Sequence, residues 1–217
     1  MTMDKIEILK KNGISSFKKK LTDNYDVKKV YDLSKNKDYD KLVVKNKLIK
    51  SSIKSAVLCL LVPNLINRSY DIVLTVRSKH LKKHPGQVSF PGGKKDNKDK
   101  SYMACAFREA KEEIGYIDKD NFFIGKLNKY ITGSGFLIQP MVAVSKTNIN
   151  FKLNSAEVSK ILLFPMNHLL SDNKINKKFY SKVNQSLYYY EIDWEGSIVW
   201  GATAKILIDL FNLVKNI

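Results

Sequence analysis

At 217 residues, 44% hydrophobic and 27% charged, the chain is long enough to bury a core and too apolar for disorder to be the expectation. No run of about 18 apolar residues occurs, which argues against a transmembrane helix and a membrane partner. The formal charge of +17 suits a polyanionic substrate, but the basic residues are mostly lysines scattered along the chain, with no zinc-finger, RRM or KH pattern, so a nucleic-acid partner is not expected.

The first 50 residues read as a lysine-rich helical extension packed on a main domain at 51–217. Ile6, Leu9, Ile14, Phe17 and Leu21 form a rough apolar stripe broken by Gly13. A homodimer contact is the other use this extension suggests. Met1-Thr2-Met3-Asp4-Lys5 lacks a signal-peptide core, and Lys215-Asn216-Ile217 is not an SKL-type address, so the expected location is cytoplasmic. Cys59 and Cys105 sit in apolar contexts and read as buried, reduced thiols.

Residues 53–62 contain the continuous apolar run from Ala56 to Val62, the pattern of a strand buried on both faces. A turn follows, and residues 71–77 read as the hairpin partner, ending at Arg77. Residues 78–85 form a basic loop holding His80, Lys82 and His84. The two histidines do not read as a metal pair, because Pro85 disrupts a helix and no third ligand accompanies them. A short strand at 87–90 then leads into a tight turn at Pro91-Gly92-Gly93. Ser101 reads as the N-cap of a helix with Met103, Ala106, Phe107 and Ala110 on its core face and Gly115 as its stop.

That helix carries Arg108-Glu109-Ala110-Lys111-Glu112-Glu113. Side chains three and four residues apart share a helix face, so Glu109, Glu112 and Glu113 are expected to converge. Three carboxylates repel one another unless a cation sits among them, and oxygen-only ligands suit Mg²⁺ or Mn²⁺. Arg108, one turn before Glu112, can hold that carboxylate from behind. A solvated acidic helix face is the plainer alternative. The glycine turn before the helix, the glycine stop after it and the basic surroundings favour the metal site.

The segment Arg108-Glu109-Ala110-Lys111-Glu112-Glu113-Ile114-Gly115-Tyr116 resembles the REuxEExGu half of the Nudix box, with Tyr116 in place of an aliphatic residue. Leu74-Thr75-Val76-Arg77-Ser78, Gly86-Gln87-Val88-Ser89-Phe90-Pro91-Gly92-Gly93 and the Lys94, Asp96, Asp99, Ser101 spacing resemble the coenzyme A pyrophosphatase branch of that family. The resemblance implies several site roles. The Gly93 carbonyl would join Glu109, Glu112 and Glu113 as metal ligands, and Arg77 would contact substrate phosphate. Lys82 stands where the branch usually has Arg, keeping the charge but not the planar bidentate donor.

Further on, 122–127 reads as an edge segment and 138–144 as a strand with Pro140 at an edge or bulge. Thr132-Gly133-Ser134-Gly135-Phe136 is similar to the branch's sGFxxxPxV segment. Gly133 and Phe136 would then line the substrate cleft, Phe136 packing on a pantetheine arm or nucleobase, or else serving the core. Glu157 lies in a loop from which Nudix enzymes often draw a further ligand or base; a cap is its plainer role. Residues 179–183 and 187–193 read as a hairpin around Asn184-Gln185, and Trp200-Gly201-Ala202-Thr203-Ala204 resembles the branch's WGaTA ending before a helix at 206–214.

The resemblance implies a Nudix-type α/β/α sandwich with a mixed curved sheet. It implies an enzyme using Mg²⁺ or Mn²⁺ to split coenzyme A or an acyl derivative into 3′,5′-ADP and phosphopantetheine. Glu109, Glu112 or Glu157 would be the base. Another nucleoside diphosphate derivative (ADP-ribose, NADH, a dinucleotide or capped RNA) is the alternative substrate. A catalytically silent nucleotide- or RNA-binding module is the alternative of another class.

Overall fold

The computed structural model describes residues 13–24, 29–32, 37–40, 51–66, 69–117, 121–145, 149–170, 175–180 and 188–214. The order of elements is α1 (Gly13–Asn24), β1 (Lys29–Asp32), β2 (Lys37–Asp40), β3 (Ile53–Asn64), β4 (Ser69–Arg77), β5 (Val88–Ser89), β6 (Gly92–Lys94), α2 (Tyr102–Ile114), β7 (Asn121–Lys126), β8 (Lys129–Ile131), β9 (Phe136–Ser145), β10 (Val158–Pro165), a 3₁₀ turn (Met166–Leu170), β11 (Ile175–Phe179), β12 (Tyr188–Trp194), β13 (Ser197–Trp200) and α3 (Gly201–Val214).

Strand side chains alternate between faces, and β3 shows what that does with an unbroken apolar run. Ala56, Leu58, Leu60 and Val62 pack with Cys105, Ala106, Ala110 and Ile114 of α2. Cys59 and Leu61 pack on the opposite face with Ile206, Leu207, Leu210 and Phe211 of α3. Both faces of the sheet are thereby covered, one helix to each, giving the expected mixed α/β sandwich. The main sheet runs β10-β4-β3-β9-β8-β1-β2. β3 pairs with β9, and β1 with β8, in parallel; β4 pairs antiparallel with both β3 and β10. A second sheet, β11-β12-β13, is wholly antiparallel. Among the described residues no helix is long and apolar enough to cross a membrane.

Five expectations need correction. The extension at 1–50 is helical only at α1 among its described residues; β1 and β2 form a hairpin that extends the main sheet. Ile6 and Leu9 lie outside the described residues. Gly92 and Gly93 belong to β6, paired with Val57 and Ala56 of β3, instead of forming a free turn. Pro140 lies in the interior of the sheet, not at an edge, opposite Val57. It is tolerated because β9 changes partner there, from β8 at Ile138 to β7 at Met141, so its missing N–H interrupts no ladder bond on that side. Met103 is exposed on α2, and Cys105 and Ile114 take its place in the core. The late hairpin pairs β11 with β12, in a register that joins Phe179 to Tyr188; Asn184 and Gln185 lie outside the described residues.

Candidate active site

The ends of α2 set the phase of its acidic face. Ser101, in extended conformation, accepts a hydrogen bond on its Oγ from the Ala104 N–H at 3.0 Å. Gly115, at φ 68°, closes the helix: its N–H donates to the Lys111 carbonyl at 3.0 Å and the Tyr116 N–H to the Ala110 carbonyl at 3.3 Å. A side chain at Gly115 would meet Lys152 at 2.8 Å, so glycine is needed for space as well as for its left-handed backbone.

With both ends pinned, Glu109 and Glu113 point toward β6. Gly92 lies so close to β3 that an added Cβ would come within 2.6 Å of the Val57 Cα. This approach lets the Gly92 N–H donate to Glu113 Oε2 at 3.2 Å. At Gly93 an added Cβ would stand 2.6 Å from the Glu109 carboxyl carbon. Glu109 therefore rests on bare backbone, beside the peptide whose carbonyl also receives a weak Cys105 thiol contact at 3.7 Å.

Arg108 organises the solvent side. Its Nε and Nη2 donate to the two oxygens of Asp99 at 3.0 and 2.9 Å, a bidentate pair. Its Nη1 donates to Glu112 Oε2 at 2.8 Å, and Nη2 also reaches the Lys94 carbonyl at 3.2 Å. An ion pair joins Nη2 to Glu109 Oε1 at 2.9 Å. Asp99 is buried, accepts the Asp96 N–H at 2.8 Å, and is held near pKa 2, chiefly by Arg108. The sequence reading paired Arg108 with Glu112 alone. Asp99 stands there within the branch spacing but is given no role; as the bidentate partner of Arg108 it is the functional residue whose part that reading missed.

A second connection brings in the far end of the sheet. The Lys152 and Asn154 N–H groups donate to the Ile114 and Glu113 carbonyls at 2.9 and 3.0 Å, and the Glu157 carbonyl accepts from the Ser78 N–H at 2.8 Å. The 152–157 loop thus staples the end of α2 to the end of β4. It sets the Glu157 charge near Glu109 and Glu113, where it raises the pKa of both. Burial is the larger cause in each case. It pushes Glu113, only 3% exposed, up to about 8 against the opposing Gly92 hydrogen bond and the Arg77 charge. Glu109 is raised too, with Arg108 opposing. Arg77 Nε is buried without a hydrogen-bond partner.

Arg77, Gly93, Arg108, Glu109, Glu113 and Glu157 are therefore assembled from four separate elements and loops. Glu112 is gathered only in part: it shares Arg108 with Glu109, whose pKa its charge helps to raise, while Glu113 is buried under β6. The Glu112 side chain is 52% exposed, drawn to Arg108 at the rim. Among the described residues no three His, Cys, Asp or Glu side chains form a ready-made metal cage. Arg108 instead bridges the carboxylates of Asp99, Glu109 and Glu112 and supplies the positive charge that they require. Lys82 stands exposed in the loop after β4, as do His80 and His84. Gly133 is exposed and Phe136 half-buried at the start of β9, where Phe136 pairs with Ile53. The donor chemistry still fits a hard divalent cation. Glu109 and Glu113 present buried or nearly buried carboxyl oxygens beside the Gly93 peptide, and Glu112 adds another at the rim.

Comparison with known proteins gives the same direction. Residues 55–183 match the NUDIX domain. A protein of Photorhabdus laumondii named uncharacterized Nudix hydrolase NudL is 34% identical over 155 residues, spanning 71% of this chain and 83% of its own. The NudL of Yersinia pestis is also 34% identical, over 158 residues, spanning 71% of this chain and 78% of its own. Among solved structures, a MutT/nudix family protein from Enterococcus faecalis has a TM-score of 0.50 at 13% identity, over 76% of this chain and 62% of that one. That last likeness concerns the fold alone.

Proposed function

The chain belongs to the Nudix hydrolase family, and on that premise we propose that it cleaves the diphosphate bond of coenzyme A or an acyl-CoA to 3′,5′-ADP and (acyl-)phosphopantetheine. One observation carries the substrate assignment. The two halves of the coenzyme A-branch signature, 74–78 and 86–93, are bound to each other at Arg77, whose N–H donates to the Gln87 carbonyl at 2.9 Å and whose carbonyl accepts from the Gly86 N–H at 3.1 Å. The signature is thus one structural unit that delivers Arg77 to the glutamates.

Each group in the unit has a role that follows from its surroundings. Arg77 Nε, buried and unpartnered, supplies a donor for a phosphate oxygen, and Lys82 adds positive charge in the adjoining loop. Mg²⁺ or Mn²⁺, held by the Gly93 carbonyl, Glu109, Glu112 and Glu113, would neutralise the diphosphate and lower the pKa of an attacking water. Arg108, locked by Asp99, positions Glu109 and Glu112. Glu109, Glu112 and Glu157 are the carboxylates from which the base is drawn. Gly133 and Phe136 line the approach from the start of β9.

The test is a substrate panel of coenzyme A, acetyl-CoA, ADP-ribose, NADH, a dinucleoside polyphosphate and capped RNA, with Mg²⁺ or Mn²⁺ and products resolved by mass. Coenzyme A should give 3′,5′-ADP with the highest kcat/KM, and Glu112→Gln should remove most turnover while leaving the circular dichroism spectrum unchanged. A higher kcat/KM for ADP-ribose, NADH, the dinucleotide or capped RNA would overturn the coenzyme A assignment. Absence of turnover on every compound would overturn the hydrolase reading in favour of a binding module.

A further inference from the structure

Between the Pro85–Val88 segment and the second sheet lies a pocket of about 530 Å³, within the roughly 300–1,000 Å³ span of small-molecule sites. Cross-strand pairing explains its lining. Glu191 pairs with Trp200 and Asp193 with Ile198, while Ile192 pairs with Val199 between them. Ile192 and Val199 are fully buried against the core. Tyr189, Glu191, Ile198 and Trp200 therefore share the opposite, outward face, and all four line the pocket. Trp200 and Ile198 remain 39% and 52% exposed there.

The chemistry of this face is specific. The Tyr189 and Trp200 rings pack edge to face, 6.0 Å apart at 69°, and Tyr189 also rests on Tyr180 at 4.9 Å, so together they form one aromatic wall. Glu191 contributes a carboxylate that accepts from the Tyr189 hydroxyl and meets Lys178 at a loose 3.9 Å, which leaves it further acceptor capacity. Gly86 and Gln87 form the facing wall, and they are the residues hydrogen-bonded to the Arg77 backbone. The pocket thus adjoins the backbone of the residue assigned to substrate phosphate.

We propose that this pocket binds the nucleobase of the substrate, with a flat heteroaromatic ring stacking on Trp200, which Tyr189 props at its side, and Glu191 accepting from an exocyclic amino group. The preference is for an amino-bearing base such as adenine over a purely keto base such as uracil. Aromatic side chains grip bases through their faces with little regard to sequence; a carboxylate that can only accept supplies the discrimination. The inference rests on the assignment of a nucleotide-containing substrate, and its test is separable from that assignment.

Calorimetric titration of the full chain in EDTA, without turnover, with AMP, UMP and ribose 5-phosphate addresses the pocket alone. AMP should bind at least about tenfold more tightly than ribose 5-phosphate. Trp200→Leu should lose about tenfold in AMP affinity, while Trp200→Phe, which keeps a ring, should retain most of it. Glu191→Gln should narrow the gap between AMP and UMP. Equal binding of AMP and ribose 5-phosphate, or wild-type AMP affinity in Trp200→Leu, would sink the proposal. Base-dependent binding with no hydrolysis of any diphosphate would uphold the pocket and reject the coenzyme A reading. Hydrolysis with an unchanged KM in Trp200→Leu would do the reverse.

Discussion

A single missing methyl group decides the geometry at Gly93. Its φ is not what demands glycine; the Glu109 carboxyl occupies the space a Cβ would need, at 2.6 Å. Because the obstructing atoms end a flexible side chain, Gly93→Ala should displace Glu109 and leave the backbone in place. Misplacing a catalytic group by about 1 Å can cost on the order of a hundredfold in rate. The expected result is therefore a fall in kcat of that order with a melting temperature within about 4 °C of wild type. A melting temperature collapse without selective loss of kcat would mean that Gly93 serves the fold instead. Glycine next to a glutamate helix was readable in the sequence, as was the i, i+4 relation of Glu109 and Glu113. The rim position of Glu112 was not. It depends on Arg108 bridging Asp99, Glu109 and Glu112 at once, and a helical wheel does not show a partner from the preceding loop.

At the level of elements, legibility followed how much of each element's cause is local. The α2 boundaries were readable because both caps are short-range chemistry: a serine hydroxyl reaching three residues on, and a glycine that adopts the left-handed conformation. β3 was readable because its apolar run has one explanation. The hairpin of β1 and β2 was not, since Lys-Val-Tyr-Asp and Lys-Asp-Tyr-Asp become strands through pairing with each other and with β8, a partner about 100 residues away. Pro140 misled for a related reason: its tolerance comes from the exchange of β8 for β7 along β9. The Ser101 cap can be tested directly. Ser101→Ala removes the acceptor for the Ala104 N–H and should cost about 1 kcal/mol, a drop of about 2–4 °C in melting temperature. A Ser101→Asp variant, which restores an acceptor and adds favourable charge at the helix start, should recover it. A drop in Ser101→Asp equal to that in Ser101→Ala would show that the hydroxyl is not acting as the cap.

For the molecule as a whole, an acidic pit lies inside a chain of net charge +17, and that contrast links folding stability to divalent ions. In the unfolded chain Glu113 ionises near the usual glutamate value of about 4.3, whereas in the fold burial pushes it up to about 8. Between those limits the folded state binds more protons than the unfolded state, so the Glu113 contribution to stability is full below the lower value and is lost as pH rises through the upper one. A cation taken up by the ionised carboxyl opposes that loss. In EDTA, then, the melting temperature should fall from pH 6 to pH 8.5 by more in the wild type than in Glu113→Gln, a comparison that cancels the effect of the other titrating groups. With Mn²⁺ at about a hundred times its dissociation constant, the wild type should gain about 2.7 kcal/mol, or roughly 5–11 °C. At a fixed sub-saturating Mn²⁺ concentration the gain should be larger at pH 8.5 than at pH 6. Differential scanning calorimetry at the two pH values reads all of these differences. A Mn²⁺ gain that shrinks with rising pH, or that survives undiminished in Glu113→Gln, would remove Glu113 from the ligand set and leave its burial to be explained by packing under β6.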